Sequence, residues 1–314
     1  MVIRIYDAGQ RNSPKSGYGL MAQKISACLE ELGHTVKFFP YDGKEDVVLW
    51  IRPPHYIKYP EFNPKKKNVF FTMHELETFD GWKSDWPELL NKCDAVITPT
   101  EWNKSVFRKN GVKVPIYVVP LGVDQKIFHG DKDYNFSILT LHDSLGKTTS
   151  RENWQETLVA YCEAFRDKNW AEVNLTIKSY NIDYLNYRRY LQELKKKYGD
   201  GFIETINIVD IDLTQRDLNK LYAKHWLFVK NANREGWSLP LLQAMSCGMD
   251  VAFSNLKVFE WTEGYKKAFR FDGVSGLTEV LLDRFKHWKR HRSYINQFKW
   301  QKITEEVANV LKKA

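Results

Sequence analysis

Within residues 234–248, REGWSLPLLQAMSCG, an acid, a turn and a helix start follow one another in an order that suits a phosphorylated sugar ligand. Glu235 stands just before the turn, where a carboxylate can accept hydrogen bonds from sugar hydroxyls. Gly236, Trp237, Ser238 and Leu239 form the turn and open a helix through Leu241, Leu242, Ala244 and Met245. The amides at such a helix start suit a diphosphate. Gln243, two turns into the helix, would reach a neighbouring part of the same ligand. The pattern also admits a second reading, in which Glu235 caps the helix and Gln243 faces solvent.

Two other stretches carry candidate chemistry. In AGQRNSPKSGYGLMAQKI, Gly17 and Gly19 let the backbone turn and present amides at a helix start, a place for an anion or simply the end of a loop. NVFFTMHE puts His74 at the carboxyl end of a strand with Glu75 beside it, either facing a ligand or satisfied within the structure. The acidic triplets DKD (131–133) and DID (210–212) read as solvated or capping acids, so no metal site is expected from them. Cys28, Cys93, Cys162 and Cys247 are scattered without CxxC spacing, so neither a disulfide framework nor a zinc site is indicated and reduced thiols are expected.

These residues must be held by a scaffold, and the pattern of apolar runs says which. Short apolar runs alternate with longer amphipathic stretches, as in βαβ units around a largely parallel sheet. In the first half, 2–8, 35–40, 46–51, 68–73, 94–100 and 115–120 read as strands, with helices at 17–32, about 82–92 and 101–110. The second half repeats the scheme, with strands at 136–141, 173–179, 202–209, 226–232 and 250–255 and helices at 153–167, 183–198, 214–223, 239–247 and 276–288. A chain of 314 residues exceeds what one hydrophobic core supports. Polar HGDKDYN (129–135) is therefore read as the linker between two doubly wound α/β domains. Open parallel sheets bind ligands beyond the carboxyl ends of their strands, which is where His74 and Glu235 fall.

With 43% hydrophobic and 27% charged residues the composition is that of a globular chain. No apolar stretch is long enough to span a bilayer and no signal-peptide pattern opens the sequence, so a cytoplasmic protein is expected. The formal charge is +8, with basic clusters at Lys65–Lys67, Lys195–Lys197 and 286–292. Such clusters are either solvated faces or contacts for a polyanion: nucleic acid, an anionic polymer or a membrane surface.

The segment 234–248 resembles the E-G-F-G-L-P-x-x-E-A-M-A-C-G stretch of glycosyltransferase family four, retaining sugar-nucleotide transferases with the GT-B fold. SGYGLMAQKISACLEELGHTV, FFTMHE, DAVITPTEWNKSVFRKNGVKVPIYVVPLGVDQKIF and FKWQKITEEVANVL are similar to that family's Gly-rich helix start, histidine strand, interdomain segment and closing helix, in the same order. The resemblance implies an α/β chain of two Rossmann-like domains facing a cleft: an acceptor-side domain at 1–130, a donor domain at 131–292 and a helix at 293–314 crossing back. It implies transfer of a sugar from a nucleotide-sugar donor, with retention and without a metal or other cofactor. Glu235 then matches the acid that contacts the donor sugar, and Gln243 stands where the family has an acid on the nucleotide ribose. An amide can still accept one hydroxyl and donate to another oxygen. Gly17 and Gly19 join the donor-binding set, and His74 positions sugar or acceptor near the reacting carbon. Where the family has an arginine and, five residues on, a lysine for the diphosphate, this chain has Lys147 and Glu152; Arg151 is the substitute cation. A sugar-nucleotide epimerase and a non-catalytic nucleotide-sugar-binding protein are the rival readings.

Overall fold

The computed structural model describes residues 1–7, 16–40, 42–56, 65–79, 85–124, 127–128, 136–146, 151–167, 170–286, 298 and 300–313. The chain divides into two compact units, one of residues 1–122 with 297–314 and one of residues 123–296. Lys147, the linker 129–135, the triplet 131–133 and most of the basic run 286–292 lie outside the described residues.

In chain order the first unit runs β1 (Val2–Tyr6), α1 (Gly17–Glu31), β2 (Thr35–Phe38), β3 (Val47–Ile51), β4 (Lys67–Phe71), α2 (Trp86–Leu90), β5 (Ala95–Thr98), α3 (Glu101–Lys109) and β6 (Ile116–Val118). The second continues with β7 (Phe136–Leu145), α4 (Trp154–Phe165), β8 (Val173–Ile182), α5 (Tyr184–Tyr198), β9 (Ile206–Val209), α6 (Gln215–Ala223), β10 (Leu227–Lys230), α7 (Leu239–Ser246), β11 (Asp250–Ser254), β12 (Ala268–Phe271) and α8 (Gly273–Lys286). The closing helix α9 (Trp300–Lys313) returns to the first unit and packs on α1. Gly122 explains how closely it can approach: a Cβ there would lie 2.7 Å from the Trp300 ring.

Each unit is built on one six-stranded sheet, and every strand pair is parallel. The central strands are apolar on both faces because helices cover both sides, so VVLWI of β3 and LFVK of β10 are buried throughout. The first core gathers Val48, Trp50, Phe70, Val96 and Phe107; the second gathers Leu158, Phe165, Leu175, Leu227 and Leu277. Polar side chains start the helices: Thr100 accepts the Asn103 amide at α3 and Thr214 the Asp217 amide at α6.

Strand order fixes where ligands can sit. The second sheet runs β12-β11-β10-β7-β8-β9, so chain direction reverses between β7 and β10. That reversal separates the loops after these two strands and opens a crevice at their carboxyl ends. The first sheet, β2-β1-β3-β4-β5-β6, has its reversal between β1 and β3.

Three expectations change. The stretch 202–209 is a strand only from Ile206, its start being a short 3₁₀ turn at Ile203–Thr205. β7 and β8 extend to Leu145 and Ile182, beyond the expected 141 and 179. β12 was not expected at all: four residues at the sheet edge, preceded by Lys266 and Lys267 and carrying Arg270, have the charge of a loop, as edge strands often do.

Candidate active site

Glu235 lies in the loop between β10 and α7, beside the crevice between β7 and β10. It is almost fully buried, yet both carboxylate oxygens are occupied. Arg151 Nη2 lies 3.0 Å from Oε1, and Lys230 Nζ lies 3.1 Å from Oε2. The Gly236 amide also donates to Oε1, at 3.1 Å. Lys230, the last residue of β10, reaches a second acid, Glu152, at 2.6 Å. The other oxygen of Glu152 accepts the Asp143 amide at 2.7 Å and stands 3.5 Å from His142 Nδ1. Two acids and two cations thus form one chain of contacts, Arg151–Glu235–Lys230–Glu152.

Local structure explains why these residues meet. β7 is followed by Gly146, whose φ of 81° and whose position against the Asp183 carbonyl, 2.1 Å from where a Cβ would stand, leave room only for glycine. Glu152 makes an isolated antiparallel bridge to Ala232, beside the end of β10. Asn153 and Asn233 exchange side-chain hydrogen bonds at 2.9 and 2.7 Å, and Asn231 accepts from Asn153 and Ser254. The loops after β7 and β10 are therefore laced together, with the charged chain on one side of the lacing.

Burial alone would raise the Glu235 carboxyl, but Lys230 and then Arg151 outweigh it and hold the group below the ordinary carboxylate value. Glu152 is lowered in the same way: burial opposes the charge, and Lys230 and His142 more than offset it. Burial pulls Lys230 down while Glu235 and Glu152 push it further up, with a net rise. All three stay ionised at neutral pH.

The remaining expected residues fall in different settings. Gln243 is buried, not solvent-facing; its Oε1 accepts the Tyr222 hydroxyl at 3.2 Å. Ser238 has a left-handed φ of 72° and caps α7 by accepting the Leu241 amide, and Leu239 is the first residue of that helix. Trp237 is core, stacked on Trp261 with ring centres 4.3 Å apart. The Gly236 amide, expected to face a phosphate, is engaged by the Glu235 carboxylate. In the first unit Gly17 opens α1, and the Gly19 amide donates to Ser16 Oγ at 3.4 Å.

His74 departs from the expectation of an imidazole projecting from a strand end. It is 1% exposed, its ring packs edge-on against Phe79 and Trp86, and Nε2 donates to the Thr78 carbonyl at 2.8 Å. Its own amide is held by Asn103 at 2.7 Å, so the residue ties the loop after β4 to α3. Lys66 is engaged too, donating to the carbonyls of Gly43 and Glu45, and Asp210 of the 210–212 triplet accepts the Tyr184 hydroxyl.

Sequence reading missed Lys230 and His142. Lys230 looked like the tail of an apolar strand, although a lysine ending a run buried on both faces must have a counter-ion. That was the available signal.

Comparison with solved structures pairs the whole chain with sucrose-phosphate synthase from Thermosynechococcus elongatus, at 11% identity over 98% of that chain with a TM-score of 0.76. Anabaena HepE, in complex with UDP and glucose, matches over all of both chains at 13% identity with a TM-score of 0.72. The OtsA apo structure matches over 95% of this chain and 78% of its own at 14% identity with a TM-score of 0.68. The fold is GT-B. No protein-family model and no curated protein matches the sequence. Within this GT-B chain, the charged contacts occupy the strand-order reversal of the second unit. Among the described residues no helix is long and apolar enough to cross a membrane.

Proposed function

We propose that this protein is a retaining glycosyltransferase that works without a metal and takes a nucleotide-sugar donor on its second unit. The observation that carries the reading is the Arg151–Glu235–Lys230–Glu152 chain of charges at the β7/β10 reversal. The likeness to a protein held with UDP and glucose supports the class of donor. Glu235 receives the sugar hydroxyls, since a carboxylate kept ionised accepts strongly. Arg151, the most exposed member, neutralises the diphosphate as it leaves, assisted by Lys147. Gln243 keeps a donor group for the ribose while its carbonyl stays with Tyr222. In transfer with retention, the bond from anomeric carbon to phosphate oxygen breaks, the acceptor oxygen bonds to that carbon on the same face, and the departing phosphate takes the acceptor's proton. His74, buried against Phe79 and Trp86, serves in this reading to fix its loop.

A purified sample incubated with UDP-glucose and other nucleotide-sugars in excess chelator, followed by chromatography, tests the reading. Release or transfer of sugar from one donor is the expected result. A strict need for an added divalent metal contradicts the metal-free mechanism, and binding with no turnover of any donor replaces the enzyme by a nucleotide-sugar-binding protein.

A further inference from the structure

The two cations on Glu235 are not equivalent. The Lys230 side chain is 4% exposed and is shared with Glu152, which is itself fixed by the Asp143 amide. The Arg151 side chain is 36% exposed and stands at the outer end of the chain of contacts. An incoming phosphate can reach Arg151 from solvent, whereas extracting Lys230 would leave two buried acids facing each other. Such a loss is strongly unfavourable. We propose that Lys230 is a positioning residue, anchored by Glu152, that holds the Glu235 carboxylate in place while Arg151 leaves Glu235 for the donor's diphosphate. This rests on the donor site proposed above and adds a division of labour within it: one cation is structural to the acid, the other exchanges to the ligand. It also gives Glu152 a role, since an acid at that position supplies the buried lysine with a counter-ion.

The test combines carboxyl-13C NMR titration of Glu235 with UDP binding and donor turnover in Lys230→Met, Lys230→Arg and Arg151→Met. The groups that set the Glu235 titration are Lys230, Arg151 and the Gly236 amide, with Glu152 acting through the Lys230 it shares. For Lys230→Met we expect the Glu235 titration to move up in pH and kcat to fall about 100-fold, the scale of a misplaced reacting group. UDP affinity should stay within about threefold, because no phosphate contact is lost. Lys230→Arg should recover part of kcat. Arg151→Met should instead weaken UDP by about tenfold, the worth of one charge-assisted hydrogen bond. Should Lys230→Met fail to fold, Lys230→Met/Glu152→Gln removes a matched pair of charges and is read the same way. A Glu235 titration unmoved by either Lys230 substitution overturns the proposal, as does a loss of UDP affinity in Lys230→Met equal to that in Arg151→Met. A wild type that turns over no donor sinks the transferase reading alone, since the NMR titration still decides the role of Lys230.

Discussion

At the carboxyl end of β10, two buried acids face two cations. At the opposite end of the same sheet, the first residue of β11, Asp250, stands alone between Lys267 at 3.0 Å and Arg284 at 3.4 Å. Both sites are buried, yet their acids respond in opposite directions. Glu152 and Glu235 are held below the ordinary carboxylate value, whereas burial raises Asp250 despite its two partners. Arg284 is drawn away: it also pairs with Asp283 and lies 4.1 Å over the Phe269 ring. The amino end of the sheet thus uses its charges to tie β11 to α8, and a neutral acid would serve nearly as well. The carboxyl end spends structure on keeping two acids ionised, which closing a sheet does not require and a polar ligand does.

The largest expected difference is in turnover. Glu235→Ala should lower donor turnover by about 100-fold or more, as loss of a contact made at the reacting sugar does. It should stay folded but melt below the wild type, because it strips one counter-ion from buried Lys230, which keeps Glu152, while the exposed Arg151 returns to water. Asp250→Asn should leave kcat/KM unchanged. Steady-state kinetics beside thermal melting checks both, and equal effects at the two ends would break the contrast.

Next in size is stability. Glu152→Gln strips one counter-ion from a buried lysine and should cost about 3 kcal/mol in urea unfolding, while Asp250→Asn should cost about 1 kcal/mol or less. The reverse ranking would mean that the amino-end ion pairs are the tighter set.

The pH dependence sharpens the contrast because its signs oppose. Folded-state values of Glu152 and Glu235 lie below the unfolded one, so their stabilisation is present above roughly pH 4.3 and is lost as pH falls through the folded values. The folded value of Asp250 lies above its unfolded one, so its contribution is present below roughly pH 3.9 and is lost as pH rises through the folded value. Relative to wild type, Asp250→Asn should therefore gain stability as pH rises from the acid side towards neutrality, and Glu152→Gln should lose it. Parallel slopes in urea unfolding at several pH values would refute the assignment.

Smallest is Gln243→Glu. The new acid can still accept the Tyr222 hydroxyl, so UDP should bind within about threefold of wild type or more tightly. Abolished binding in calorimetry would remove Gln243 from the donor site.

Much of this architecture was legible because parallel strands covered on both faces leave continuous apolar runs, and VVLWI, NVFF and AVIT could be little else. Glu235, Gly236 and Ser238 were legible as a turn and helix start for the same local reasons. What stayed hidden depends on distance in sequence. Glu152 looked misplaced until the structure brought it to Lys230, 78 residues on, and Arg151 looked like a free cation until it met Glu235, 84 residues on. His74 was open to two readings, facing a ligand or satisfied within the structure, and only the packing of Phe79 and Trp86 against its ring favours the second.

The central claim is that the carboxyl end of the second sheet holds a nucleotide-sugar around Glu235 and turns it over there. Its most direct test is chromatographic measurement of UDP released from UDP-glucose and related donors by the wild type and by Glu235→Ala, both shown folded by melting. The account predicts release by the wild type from at least one UDP-sugar and a loss of about 100-fold in the variant. Equal release by both proteins, or none by the wild type with any donor, would contradict it.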